Sequence, residues 1–209
     1  MLELKFLEGQ HRLVALDAET TGHNVMTAEQ VRQAPKGLRL PGVMIEIGCI
    51  ELLRGEEGWR KGESWESRVN PDAPISPGSI KVHGIKPGDL KQAPRFSEIA
   101  DTLLNFIGDS YIVAHSYRNE KQFLDYEMAR AKRIAWNEEA YADERFICTQ
   151  EIYAKQFPSA PKSLDTMVDR LGIDRSDRFK FHGALLDAIL TAEAFIELER
   201  RLRDPDQAA

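Results

Sequence analysis

The chain has 209 residues, 42% of them hydrophobic and 30% charged, which suits one domain, 1–209, built around one substantial core. Its formal net charge of −6 excludes a protein that coats nucleic acid through a general positive field, but not an enzyme that handles one end, because a carboxylate-built metal site adds negative charge of its own. Charge interrupts every long apolar stretch, and the opening MLELKFLEGQ lacks the apolar core of a signal peptide, so neither a membrane span nor export is expected and a cytoplasmic location is.

In chain order, Arg12 to Asp17 is a short apolar run ending in an acid, and Val43 to Leu53 is apolar with polar interruptions; both read as strands. Glu63 to Asn70 alternates well enough for a third, closing at Pro71-Asp72 and a connection rich in Pro, Ser and Gly. Short connections among these three suggest an antiparallel meander. The period then changes. Ser97 to Ile107 carries apolar residues at helical spacing and stops before Gly108, and Tyr111 to Ala114 is a short strand running into His115. Glu120 to Ala131 reads as a helix, and a brief strand follows at Arg145 to Cys148. Ser163 caps a helix ending at Gly172, and His182-Gly183 opens a long final helix. This order predicts an α/β fold with a mixed five-stranded sheet flanked by helices, its parallel part reached through helical crossovers. Cys49 and Cys148 sit in apolar runs without paired metal spacing and are expected as reduced core residues.

Three places could carry chemistry. Asp17 and Glu19 are one residue apart at the end of an apolar strand, so a pleated backbone aims both carboxylates to one side, where they could share a cation. An ordinary polar strand end is the plain alternative, but Thr20-Thr21-Gly22 follows, and small hydroxyl residues beside a glycine let backbone approach a ligand and offer it donors. Near the other end, His182-Gly-Ala-Leu-Leu-Asp187 places a histidine at a helix entrance and an acid about a turn and a half on. That division suits a mobile general base and a fixed metal ligand. Helix capping for His182 and a solvated face for Asp187 are the alternatives; neither accounts for an acid between Leu186 and Ile189. In the middle, Glu120 taken alone is a favourable charge at a helix start, and His115 a structural hydrogen bonder.

Together these motifs resemble a known family. LVALDAETTG at 13–22, MIEIGCIEL at 44–52, VHGI at 82–85, VAHSYRNEKQFLDYE at 113–127, SLDTMVDRLGI at 163–173 and HGALLDA at 182–188 are similar to the DEDDh superfamily of 3′–5′ exonucleases, in particular to the epsilon-subunit type of bacterial DNA polymerase III. The resemblance covers about 12–200 and implies a ribonuclease-H-like fold. It implies metal ligands at Asp17, Glu19 and Asp187, with the second-motif acid at Glu120 and a general base at His182. It also implies two divalent cations, Mg²⁺ or Mn²⁺, that hold a scissile phosphate while His182 takes a proton from the attacking water. Val82 and His83 fall on a segment that lines the nucleotide pocket in the family, although a simple turn explains His83-Gly84 equally well.

The chain departs from the family at the second motif. Glu120 stands where relatives carry aspartate, and Asn119 where a phenylalanine packs on the terminal nucleotide; Tyr117 or Arg118 could supply stacking instead. The connection between Gly22 and Val43 is long, with a potential short helix cap at Thr27 and with Arg32, Lys36 and Arg39; it could overhang the site and touch phosphates, although a tolerated surface insertion is the preferred reading. The expected substrate is the 3′ end of DNA, single-stranded or frayed. An RNA-trimming exonuclease shares the same acids, and a nucleic-acid-binding module with weakened turnover is a third reading. The family implies a DNA polymerase subunit as partner, while a free-standing exonuclease fits a chain that stops soon after its last helix. The terminal run Arg200-Arg201-Leu202-Arg203 is expected to face Glu197 and Glu199 along one helix.

Overall fold

A computed structural model of the chain describes residues 4–22, 42–133, 135–137, 140–178 and 182–204. Thr27, Arg32, Lys36 and Arg39, in the connection read from the sequence as a surface insertion that could also overhang the site, lie outside the described residues.

Strands β1 (Arg12–Thr20), β2 (Met44–Gly55), β3 (Gly58–Arg68), β4 (Tyr111–Ala114) and β5 (Phe146–Cys148) form one sheet in the order β3-β2-β1-β4-β5. The β1–β2 and β2–β3 pairs are antiparallel, and β4 and β5 join parallel to β1. The sheet is therefore mixed, and the ends of β1 and β4 open at the same edge, the usual place for a ligand in sheets of this kind. β3 starts five residues before its expected boundary, because Gly58, at φ 126°, closes a tight hairpin with Gly55. Its alternation is weak because most of this outer strand is exposed or half-buried.

Both faces are covered. Val14 and Leu16 of β1 pack with Ile47 and Cys49 of β2 against α2 (Phe96–Ile107) and α3 (Tyr117–Arg130). Leu13 and Ala15, on the opposite parity, pack with Ile50 and Leu52 against α5 (Leu164–Leu171) and α6 (Ala184–Arg203). Strand parity thus decides more than packing. Residues 13, 15, 17 and 19 share one face, so the alternation that buries Leu13 and Ala15 carries Asp17 and Glu19 to the α6 side.

Two helices add to the expected order. α1 (Pro77–His83) occupies part of the Pro/Ser/Gly-rich connection; Ser76 accepts a hydrogen bond from the Ser79 N–H, and Gly84 closes it in the left-handed conformation at φ 73°. It has caps but no long apolar stripe, so periodicity did not reveal it. α4 (Thr149–Gln156) follows β5 directly. α3 begins three residues earlier than expected, which places Glu120 in its first turn. α5 is capped as expected, with the Ser163 hydroxyl accepting from the Thr166 N–H and Gly172 left-handed. Cys49 and Cys148 are free and buried. Arg200 and Arg201 both pair with Glu197. No helix among the described residues is long and apolar enough to cross a membrane.

Candidate active site

The predicted residues come from three segments of chain. β1 delivers Asp17 and Glu19, the first turn of α3 delivers Glu120, and the start of α6 delivers Asp187, with His182 just ahead of it. Ligand atoms of Glu19, His182 and Asp187 lie within 4.8 Å of one another. Asp17 and Glu120 stand beside this set. The Asp17 carboxyl is repelled by Glu120, Asp187 and Glu19, and Glu120 Oε2 is buried without a hydrogen-bond partner among the described residues.

The start of α6 reaches this close to β1 because of one residue in β2. Gly48 lies opposite Asp17 in the antiparallel register. A Cβ built on it would fall 2.2 Å from the Leu185 backbone nitrogen and 2.3 Å from the Leu185 Cα. Glu46, opposite Glu19, accepts a hydrogen bond from the Ala184 N–H at 3.0 Å, satisfying one of the free amides of the α6 entrance. An acid inside MIEIG was a visible sequence signal, since an apolar strand rarely spends a position on a carboxylate without a partner.

Crowding of acids shows in their protonation. Burial, then repulsion from Asp187 and Glu46, pushes Glu19 up to about 8, and burial pushes Glu120 up to about 7. Asp17 is raised well above its ordinary value by burial first and by Glu120, Asp187 and Glu19 after it. His182 moves the other way. Burial, reinforced by the facing Arg178 guanidinium, lowers it and favours a neutral ring near pH 7, the form a proton acceptor needs.

Arg178 is a site residue that the sequence reading missed. Its side chain is only 6% exposed. It donates from Nε and Nη2 to the two oxygens of Asp187 at 2.5 and 2.8 Å, from Nη1 to Asp165, and lies 3.0 Å through Nη2 from His182 Nδ1. In the charged run Asp-Arg-Ser-Asp-Arg it reads as one more surface cation, and nothing in that spacing marks it as buried.

Residues 14–195 match the RNase T-type exonuclease family. DNA polymerase III subunit epsilon of Pasteurella multocida (strain Pm70) is 32% identical over 187 residues, covering 90% of this chain and 68% of that protein. The Escherichia coli (strain K12) subunit epsilon is 31% identical over 187 residues, covering 90% and 71%. Among solved structures, the nuclease domain of 3′hExo, a DEDDh family member, bound to rAMP, superimposes with a TM-score of 0.67 at 16% identity, covering 93% of this chain and 92% of that one. Exonuclease X in complex with 5′ overhanging duplex DNA gives 0.64 at 19% identity, covering 90% and 91%. The chain belongs to the RNase T-type exonuclease family. Its mixed five-stranded sheet has the ribonuclease-H-like fold that the resemblance implied, shared with these exonuclease structures.

Within that family its acids present the donor set that a hard divalent cation takes. Carboxylates from separate segments repel one another, and one buried oxygen of Glu120 lacks a partner among the described residues; a cation answers both problems.

The residues expected from the sequence to face substrate divide. Val82 is 42% exposed and its carbonyl accepts the His182 N–H at 3.3 Å, so it forms an apolar rim beside the histidine. His83 points inward, buried, with Nδ1 accepting from the Ile85 N–H. Thr20 donates to the Gly22 carbonyl, and the Thr21 hydroxyl accepts from the Val43 N–H while its own carbonyl holds the Ser76 N–H. These bonds tie the end of β1 to β2 and to the cap of α1. Asn119 is exposed. The stacking role suggested for Tyr117 is corrected: its ring is buried on Phe146 at 5.6 Å and its hydroxyl donates to Asp143. Arg118 lies over the outer face of that ring and pairs with Glu151. His115 is structural, as expected, bonded through Nδ1 to Thr149 and through Nε2 to the Lys162 carbonyl.

Proposed function

We propose that the chain removes nucleotides from the 3′ end of DNA, at single-stranded or frayed ends, by hydrolysing terminal phosphodiester bonds to nucleoside monophosphates with Mg²⁺ or Mn²⁺. The observation that carries this reading is the convergence of Glu19, His182 and Asp187 within 4.8 Å, flanked by the mutually repelling Asp17 and Glu120. In it, Asp17, Glu19, Asp187 and Glu120 are the metal ligands. Bound divalent cations would supply Lewis-acid activation of water and neutralise charge on the phosphodiester. His182, 35% exposed in its side chain and favoured as neutral, accepts the proton of the attacking water. Oxygen donors favour Mg²⁺ or Mn²⁺ over softer ions. Val82 leans its apolar edge on the terminal nucleotide, and the exposed Asn119 meets it from the start of α3.

DNA is favoured over RNA because the relatives above 30% identity are named as DNA polymerase subunits, whereas the neighbour bound to a ribonucleotide is 16% identical. The same relatives support a role beside a polymerase, in proofreading or repair.

The test uses 5′-labelled DNA and RNA oligonucleotides with Mn²⁺, Mg²⁺ or chelator, for the wild type and Asp17→Ala. Metal-dependent laddering from the 3′ end of DNA, lost in the variant, is expected. Faster shortening of RNA would move the substrate to the ribonucleotide class, and binding without shortening under either metal would overturn the enzyme reading.

A further inference from the structure

Arg178 and a divalent cation call on the same oxygens. The guanidinium engages both oxygens of Asp187 side-on, and its charge opposes any cation those oxygens would hold. It also occupies His182. Arginine only donates, so Nδ1, 3.0 Å from Nη2, is the acceptor in this contact; the proton of the neutral ring then sits on Nε2, and the one lone pair that could take a proton from water is engaged. The same side chain therefore holds one candidate metal ligand and the candidate base in a form that performs neither task. A third partner offers it somewhere to go. Asp165, in the first turn of α5, accepts from Nη1, is half-exposed, and is also 3.5 Å from Arg175.

We propose that Arg178 is a positioning residue that competes with the divalent cation for Asp187. When the cation binds, Arg178 withdraws onto Asp165, and its release of Asp187 and His182 couples metal uptake to the arming of the base. The proposal rests on the metal-dependent reading above. It predicts that Asp165, although not a ligand, strengthens cation binding by giving Arg178 a second anchor.

The test is calorimetric titration of Mn²⁺ alone into the wild type, Arg178→Gln, Asp165→Asn and the double variant, with melting temperatures recorded with and without the ion. Arg178→Gln should bind Mn²⁺ roughly tenfold more tightly, because a buried positive charge is removed from the ligand set. Asp165→Asn should bind more weakly, and that loss should shrink to less than about twofold in the Arg178→Gln background, since Asp165 acts through the arginine. The Mn²⁺-induced rise in melting temperature should be larger for Arg178→Gln than for the wild type. Equal or weaker binding by Arg178→Gln, or an Asp165→Asn effect of the same size in both backgrounds, would overturn the proposal. If Arg178→Gln does not fold, Asp165→Asn decides alone: weaker binding supports the competition, and unchanged or tighter binding rejects it. A wild type that takes up no Mn²⁺ would defeat the metal-dependent reading itself, whereas uptake with a flat cycle would defeat only this inference.

Discussion

Gly48 sits opposite Asp17 across the β1–β2 pairing, and the Leu185 backbone fills the place where a side chain on Gly48 would be. The glycine therefore sets how near α6, with Asp187, comes to Asp17. Gly48→Ala should lower stability by about 1–3 kcal/mol through overpacking. It should also cut exonuclease turnover on the order of 100-fold, because an ångström of misplacement is costly in an assembled site. Thermal melts and oligonucleotide kinetics below the variant's melting point check both; full activity would show that the close approach is dispensable.

Glu120 carries a buried oxygen without a partner among the described residues and a carboxyl pushed up to about 7. Glu120→Gln should raise the melting temperature at pH 8 in chelator, since a carboxylate that resists ionisation is replaced by a neutral group. It should lower metal-dependent turnover on the order of 100-fold. Glu120→Asp keeps the charge and should retain or raise activity. A loss comparable to that of Asp17→Ala would show that the longer side chain is required.

Stability should depend on pH with a definite sign. Glu19 and Glu120 are raised in the folded chain, to about 8 and about 7, above the value of about 4.3 for an unfolded glutamate. Their contribution is complete below the unfolded value and is lost as pH rises through the folded ones. In chelator the melting temperature should fall between about pH 5.5 and 8.5, and Mn²⁺ should flatten or reverse that fall as the ion replaces the proton. Carboxyls lowered by arginine partners, such as Glu51 and Glu197, act on the acid side of this window. A melting temperature that climbs with pH in chelator would contradict the crowding of acids.

Phe195, fully buried in α6 and edge-on to Trp59 at 6.2 Å, anchors the helix that carries Asp187. Phe195→Ala should cost about 3–5 kcal/mol, read as a lower denaturant midpoint. A cost below 1 kcal/mol, an order-of-magnitude bound for a core aromatic, would show that the α6 seat does not depend on this side chain.

The sequence by itself determined the strand that runs through Asp17 and Glu19, the capped helix 163–172 and the long final helix opening at His182-Gly183, and it pointed to Asp17, Glu19, Glu120, His182 and Asp187 as candidates for the chemistry. These are legible because parity, caps and motif spacing are local properties of the chain. Tertiary structure decided what depends on neighbours distant in sequence. Glu46 reaches across 138 positions to the entrance of α6, Tyr117 turns into the core rather than toward a nucleotide, and Arg178 changes from one cation in a polar run to a buried fork between Asp187 and Asp165. A charge shows its sign in the sequence; its partners, and therefore its work, are fixed only when the chain brings distant groups within hydrogen-bond reach.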